Sequence, residues 1–189
     1  LRQGPVSVRQ LTDIMGISQP TVSRSIKALG DEVVRIGSGP SIHYVLRDTH
    51  RGFSSAPVYR ITEEGQVKSL GKLIPVYPDG FVMAQTDNVC LHSDGLPWWL
   101  FDMRPQGYLG RAYASRFSSE LGLPPNPDNW SDTDVIRALL AHGHDAVGNL
   151  LIGEQARNHF VEMPSPVAVD RATAYPSLAQ AVSAGELPG

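Results

Sequence analysis

Apolar residues recur at helical spacing over the first thirty positions and then change period. Leu11, Ile14 and Ile17 lead into Ser18-Gln19-Pro20-Thr21, after which Val22, Ile26 and Leu29 follow at i, i+4 and i+7. That stripe predicts an amphipathic helix with one face packed inward. Gly16, between Ile14 and Ile17, permits a tight turn between two helices, Ser18 is placed to cap the second, and Pro20 falls in its first turn, where a missing N–H costs little. Pro20, Thr21, Arg24, Lys27 and Ala28 fall on the other face, which is small and basic near the helix start. A helix that enters the DNA major groove needs such a face. The competing reading is an ordinary helical hairpin with a solvated basic side. Cap, turn, inward stripe and outward charge agree better with a helix-turn-helix whose aliphatic side seals a small three-helix core.

The period then switches to that of strands. Glu32–Ile36 and Ile42–Arg47 are β-prone runs joined by Gly37-Ser38-Gly39-Pro40-Ser41, a hairpin with a glycine-rich tip. Helix, turn, helix, hairpin is the order of a winged helix-turn-helix, and residues 1–50 resemble the DNA-binding domains of bacterial winged-helix regulators. A Gly/Ser/Ala/Pro stretch ending at Pro57 reads as a mobile linker, assigned to 51–57.

Beyond it the chain predicts a β-rich region with two helices. Val58–Thr62 and Gln66–Leu73 form a hairpin about Glu63-Glu64-Gly65, and Ile74–Tyr77 and Phe81–Gln85 extend the sheet through Pro78-Asp79-Gly80. Leu96–Met103 is the most apolar and aromatic run and is assigned to the core. Leu109, Tyr113, Phe117 and Leu121 predict a helix over Gly107–Leu121, and Ser131-Asp132-Thr133-Asp134 caps a second one through Val135–Leu140. His142–Gly153 reads as a loop entering a buried strand, with Gly143 as a left-handed helix cap. The fold class is therefore α+β: a winged helix-turn-helix (1–50), then a small sheet-and-helix domain (58–160) and a Pro/Ala/Ser-rich segment (161–189).

Charge divides the chain in the same place. Residues 1–60 hold eight Lys/Arg against four acids, net +4, whereas the remainder holds eight against fifteen, net −7, giving −3 over 189 residues. A basic module on an acidic body suits a polyanion binder. The single cysteine, Cys90, rules out an internal disulfide framework, and the absence of a membrane span or signal peptide points to a cytoplasmic protein, nucleoid-associated when on DNA. The Asn129-Trp130-Ser131 sequon is read as chance. Both ends look like cuts through a longer protein.

Two segments of the body carry a family resemblance. Phe101, Asp102, Arg104, Pro105 and Gly107 open a helix, and Leu139, Leu140, Gly143, Asp145, Val147, Gly148, Leu150 and Ile152 follow in a second block. In order and spacing, residues 58–155 resemble the N-terminal subdomain of HipA-type toxin kinases. The resemblance implies a serine/threonine kinase parent that uses ATP and Mg2+ bound mostly C-terminal to this subdomain, and an antitoxin protein as a partner. A fused helix-turn-helix departs from the family pattern, in which a separate antitoxin reads the operator.

The expected activity of the chain itself is binding of double-stranded DNA. Gln19, Thr21, Ser23, Arg24 and Lys27 are the candidates for base-edge and phosphate contacts, and Arg35, Ser38 and Ser41 for backbone contacts from the wing. His43 is read as a strand residue, and Arg104 and Arg111 as surface charges. No catalytic residue is assigned, because phosphoryl transfer needs a phosphate loop, a lysine and metal-binding acids in patterns that this span lacks. No metal or cofactor is assigned to it either; His142, His144 and Asp145 lack the spacing and further ligands of a metal hydrolase. A stand-alone transcriptional regulator with a ligand-sensing acidic domain and a DNA-acting metal hydrolase are the alternative functions.

Overall fold

The computed structural model describes residues 1–163 and 170–184. Helix α1 (Val8–Met15) starts at Ser7, whose hydroxyl and backbone exchange hydrogen bonds with Gln10 in a capping box, and stops at Gly16 in the left-handed conformation. Helix α2 (Gln19–Ala28) follows after three residues, with Pro20 in its first turn. Strands β1 (Val33–Ile36) and β2 (His43–Leu46) pair antiparallel, and Val6 bridges to Tyr44. The first unit thus has two α-helices rather than the three-helix core expected, and its hairpin is joined at Tyr44 by a single bridge to Val6.

The body is a five-stranded antiparallel sheet in the order β6-β5-β4-β3-β7, from β3 (Ala56–Ile61), β4 (Val67–Val76), β5 (Gly80–Gln85), β6 (Cys90–Ser93) and β7 (Leu150–Ile152). Register explains its composition. Leu73 pairs with Met83 and Ile74 with Val82, so successive pairs point to opposite faces, and both faces are covered. Helices α3 (Gly107–Leu121) and α4 (Asp132–His142) cover one face, where Tyr113, Phe117, Ile136 and Leu139 join Val58, Leu73, Phe81 and Ile152. Val34 and Val45 of the β1–β2 hairpin cover the other, against Ile74, Val76 and Val82. Burial on both sides accounts for the unbroken apolar runs Leu73–Val76 and Phe81–Met83 where a half-exposed strand would alternate.

The connection between the two units differs from the mobile linker expected. Strand β3 begins at Ala56 opposite Leu73, which leaves the last residues of β4 without a β3 partner. Residues 46–48 take that edge: Arg47 bridges to Val76, the Asp48 amide donates to the Pro75 carbonyl (2.9 Å), and the Tyr77 amide donates to Leu46 (2.9 Å). Arg51 fastens the join. Its guanidinium donates to Asp48 Oδ2 (2.9 Å) and to the carbonyls of Val76 (2.7 Å), Pro78 (3.0 Å) and Gly80 (3.1 Å), and lies 5.0 Å above the Phe81 ring centroid. Both members of the Arg51–Asp48 pair are buried.

Several local expectations are also corrected. Leu109 and Leu29 are exposed, since Leu29 ends α2 as its C-cap instead of continuing its inner stripe. Gly143 is right-handed, because the chain runs from α4 straight into a 3-10 turn over Gly143–Asp145. The Leu96–Met103 run divides: Leu96, Leu100 and Met103 are core, whereas Trp98 and Phe101 face water. Strand β6 and helix α5 (Glu154–Glu162) were not foreseen, and the C-terminal Pro/Ala/Ser-rich segment contains helix α6 (Arg171–Ser183). The parts of that segment at 164–169 and 185–189 lie outside the described residues.

Candidate nucleic-acid interface

The interface is built outward from one buried residue. Val22 is 2% exposed and Ile26 half-buried, which fixes the rotation of α2 about its axis. Gln19, Ser23, Arg24 and Lys27 are in consequence all exposed, and Thr21 is half-buried at the helix entrance. Ser18 occupies the N-cap position, but its hydroxyl meets the Thr21 hydroxyl (3.0 Å) rather than a backbone amide, a correction to the cap expected. The first amides of α2 therefore lack that side-chain acceptor, and the positive end of the helix dipole faces outward. Arg24 folds lightly back on its own helix, Nε to the Pro20 carbonyl at 3.4 Å, and Lys27 lies in the last turn, where a cation complements the dipole.

The wing is shaped at its tip by backbone geometry. Gly37 has φ 81°, and a Cβ there would stand 2.5 Å from the Ser41 carbonyl oxygen, so only glycine permits the closure. Ser38 accepts from the Ser41 amide (3.2 Å), and the Ser41 carbonyl lies 3.0 Å from His43 Nδ1. Arg35, Ser38 and Ser41 are exposed. Arg35 is opposite Tyr44 in register, on the face turned away from Val34 and the body. The structure thus brings five candidate residues onto α2 and three onto the wing of one small unit, with neither Arg24 nor Lys27 buried against the acidic domain.

The histidines of the second half have other partners. His142 Nε2 lies 3.1 Å from Glu120 Oε1 and its ring stacks on Phe117 at 4.0 Å. His144 instead packs edge-on to His159 of α5, ring centroids 4.8 Å apart, and burial together with the neighbouring His159 holds its pKa below the usual imidazole range. Among the described residues no group of three His, Cys, Asp or Glu side chains is placed to hold a metal ion. Arg104, read as a surface charge, is a structural pin: it donates to Asp132 Oδ1 (2.8 Å) and to the Trp130 carbonyl, tying the entry of α3 to the start of α4. The two lysines of the second half, Lys68 and Lys72, stand exposed on β4. The sequence reading missed Arg51 and His159, whose partners are set only by the fold.

A two-helix head with a hairpin, clamped to the face of an antiparallel sheet, defines an α+β protein with an N-terminal helix-turn-helix. Residues 1–32 match the bacterial regulatory protein family described as arsR, and residues 53–161 match the family described as YjjJ-like toxin, middle domain. The chain belongs to the YjjJ-like toxin family. It is 33% identical over 193 residues to Toxin YjjJ of Escherichia coli (strain K12), a match that takes in 100% of this chain and 43% of that protein, so the chain spans less than half the length of this curated relative. No solved structure matches. Among the described residues no helix is long and apolar enough to cross a membrane.

Proposed function

We propose that the chain reads duplex DNA on behalf of a toxin, with α2 in the major groove and the Gly37–Ser41 tip along the phosphates. The observation that carries this reading is the outward presentation of Gln19, Ser23, Arg24 and Lys27 on a helix whose opposite side is anchored by Val22. The arsR match over residues 1–32 supports it independently of geometry. Arg24 is the candidate for a base edge and Lys27 for a phosphate, while Thr21 sits where the helix enters the groove. Because the hairpin is packed on the sheet, a bound operator would fix the orientation of the whole body and not of the head alone.

The toxin that this head serves is, in our reading, a HipA-like serine/threonine kinase. The second motif block supports it: Gly148, at φ 132°, packs where a Cβ would come within 2.8 Å of Met103, so this block abuts the segment that carries the first one. ATP and Mg2+ belong to that wider reading, as does an antitoxin partner, and no step through them is assigned to these residues.

Fluorescence anisotropy with random and genomic duplexes at two salt concentrations tests DNA binding. Affinity should fall with salt, the log–log slope steepening by about 0.9 per phosphate neutralised. A salt-independent or undetectable association would overturn the reading.

A further inference from the structure

On the helix-covered side of the body, five large hydrophobic side chains from three separate segments stand in water: Trp98 (72% exposed), Phe101 (55%), Tyr108, Leu109 (62%) and Val147. Trp98 and Phe101 are three apart in a 3-10 turn, where i and i+3 side chains eclipse, so both rings leave the chain on one side. Phe101 adjoins Asp102, which begins the lining of a groove of about 990 Å3 that continues past Tyr108 and Leu109 to Val147. The groove is firmly framed. A Cβ on Gly110 would come within 2.4 Å of the Pro105 backbone, and Arg104 pins the adjoining turn to Asp132. Exposed Tyr108, Leu109 and Val147 in a groove on a rigid frame, with the Arg116–Asp145 ion pair (3.2 Å) among its lining residues, mark an interaction site. The DNA-reading head cannot cover it, because its hairpin packs on the opposite face of the sheet.

The family supplies the occupant. The matched region is described as a middle domain, the helix-turn-helix precedes it, and more than half of the Escherichia coli toxin lies outside the match. We infer that this groove seats the domain that follows the middle domain in toxins of YjjJ length, which inserts apolar side chains between Tyr108, Leu109 and Val147. The sheet then separates two partners, nucleic acid on the side of the head and the rest of the toxin on the other. This inference rests on family membership and not on DNA binding, so either can fail alone.

Hydroxyl-radical footprinting read by mass spectrometry tests it on two proteins, this 189-residue chain and the full-length product of its gene. Oxidation of Tyr108 and Leu109 should be several-fold slower in the longer protein, with Ile14 and Met15 of the head equally reactive in both. Equal rates at the groove would overturn the assignment, as would a gene that ends with this chain. Protection that develops in the 189-residue chain as its concentration rises would give the groove to a second copy and overturn it as well.

Discussion

The head and the body of this protein hide very different shares of their side chains. Helix α1 has no buried residue and α2 has one, Val22, whereas α4 alone buries Val135, Ile136, Ala138, Leu139 and His142. A helix pair with so little core relies on the capping box at Ser7 and the Gly16 turn, while the hairpin beside it is sealed on the body's sheet. Hydrophobic burial thus does most of the stabilising in the body, while the head keeps its surface free for a ligand and borrows its footing.

That contrast is most exposed at Arg51. Arg51→Ala leaves Asp48 buried without its cation and three carbonyls without this donor, and should cost about 3–5 kcal/mol in urea unfolding. A loss below about 1 kcal/mol, the level of a surface pair, would show that the head is not fastened there. Core truncation comes next: Leu139→Ala should cost about 2–5 kcal/mol, and Ile26→Ala in the head less than half as much. Equal costs would erase the distinction between the units.

Function should reverse the ranking. Arg24→Ala and Lys27→Ala should leave unfolding almost unchanged yet weaken DNA binding. Loss of Arg24 should relax preference at one base pair by about 1–3 kcal/mol, and loss of Lys27 should weaken all duplexes alike while reducing the salt slope by about 0.9. Anisotropy against a single-substitution operator series separates the two. The smallest effect is one of pH. Burial and the neighbouring His159 lower the His144 pKa in the folded protein, so the unfolded chain binds the proton more readily. Stability is therefore complete above the ordinary imidazole range and declines as pH falls through it toward the lowered folded value. His144→Gln should flatten that decline in unfolding titrations between about pH 8 and pH 5; an unchanged slope would count against the imidazole pair.

Much of this was legible in the residues, for identifiable reasons. Gly107–Leu121 is a helix with the bounds its i+4 pattern indicated, and Ser131 closes the capping box with Asp134, because both signals are local. The turn at Gly16 and the two wing strands were equally local. What escaped was set by tertiary partners. Nothing near Arg51 announces that it will cap the carbonyls of a turn some twenty-seven residues away. Phe101 and Leu100 look alike in sequence, yet a 3-10 turn sends one to water and the other to the core, a distinction that an α-helical or β period cannot make. Gly143 sits where a helix-ending glycine belongs, but the chain continues in a 3-10 turn and so stays right-handed. The exposure of Gln19, Ser23, Arg24 and Lys27 on α2 was readable because an outward face needs no partner to define it.

The central claim, that α2 and the wing tip present themselves to duplex DNA while the groove side does not, is tested most directly by amide chemical-shift mapping of the chain during titration with duplex. The account predicts that the largest shifts fall on Gln19–Ala28 and residues 37–41, and that Gly107–Leu121 stays still. Shifts concentrated on Gly107–Leu121, with α2 unmoved, would contradict it.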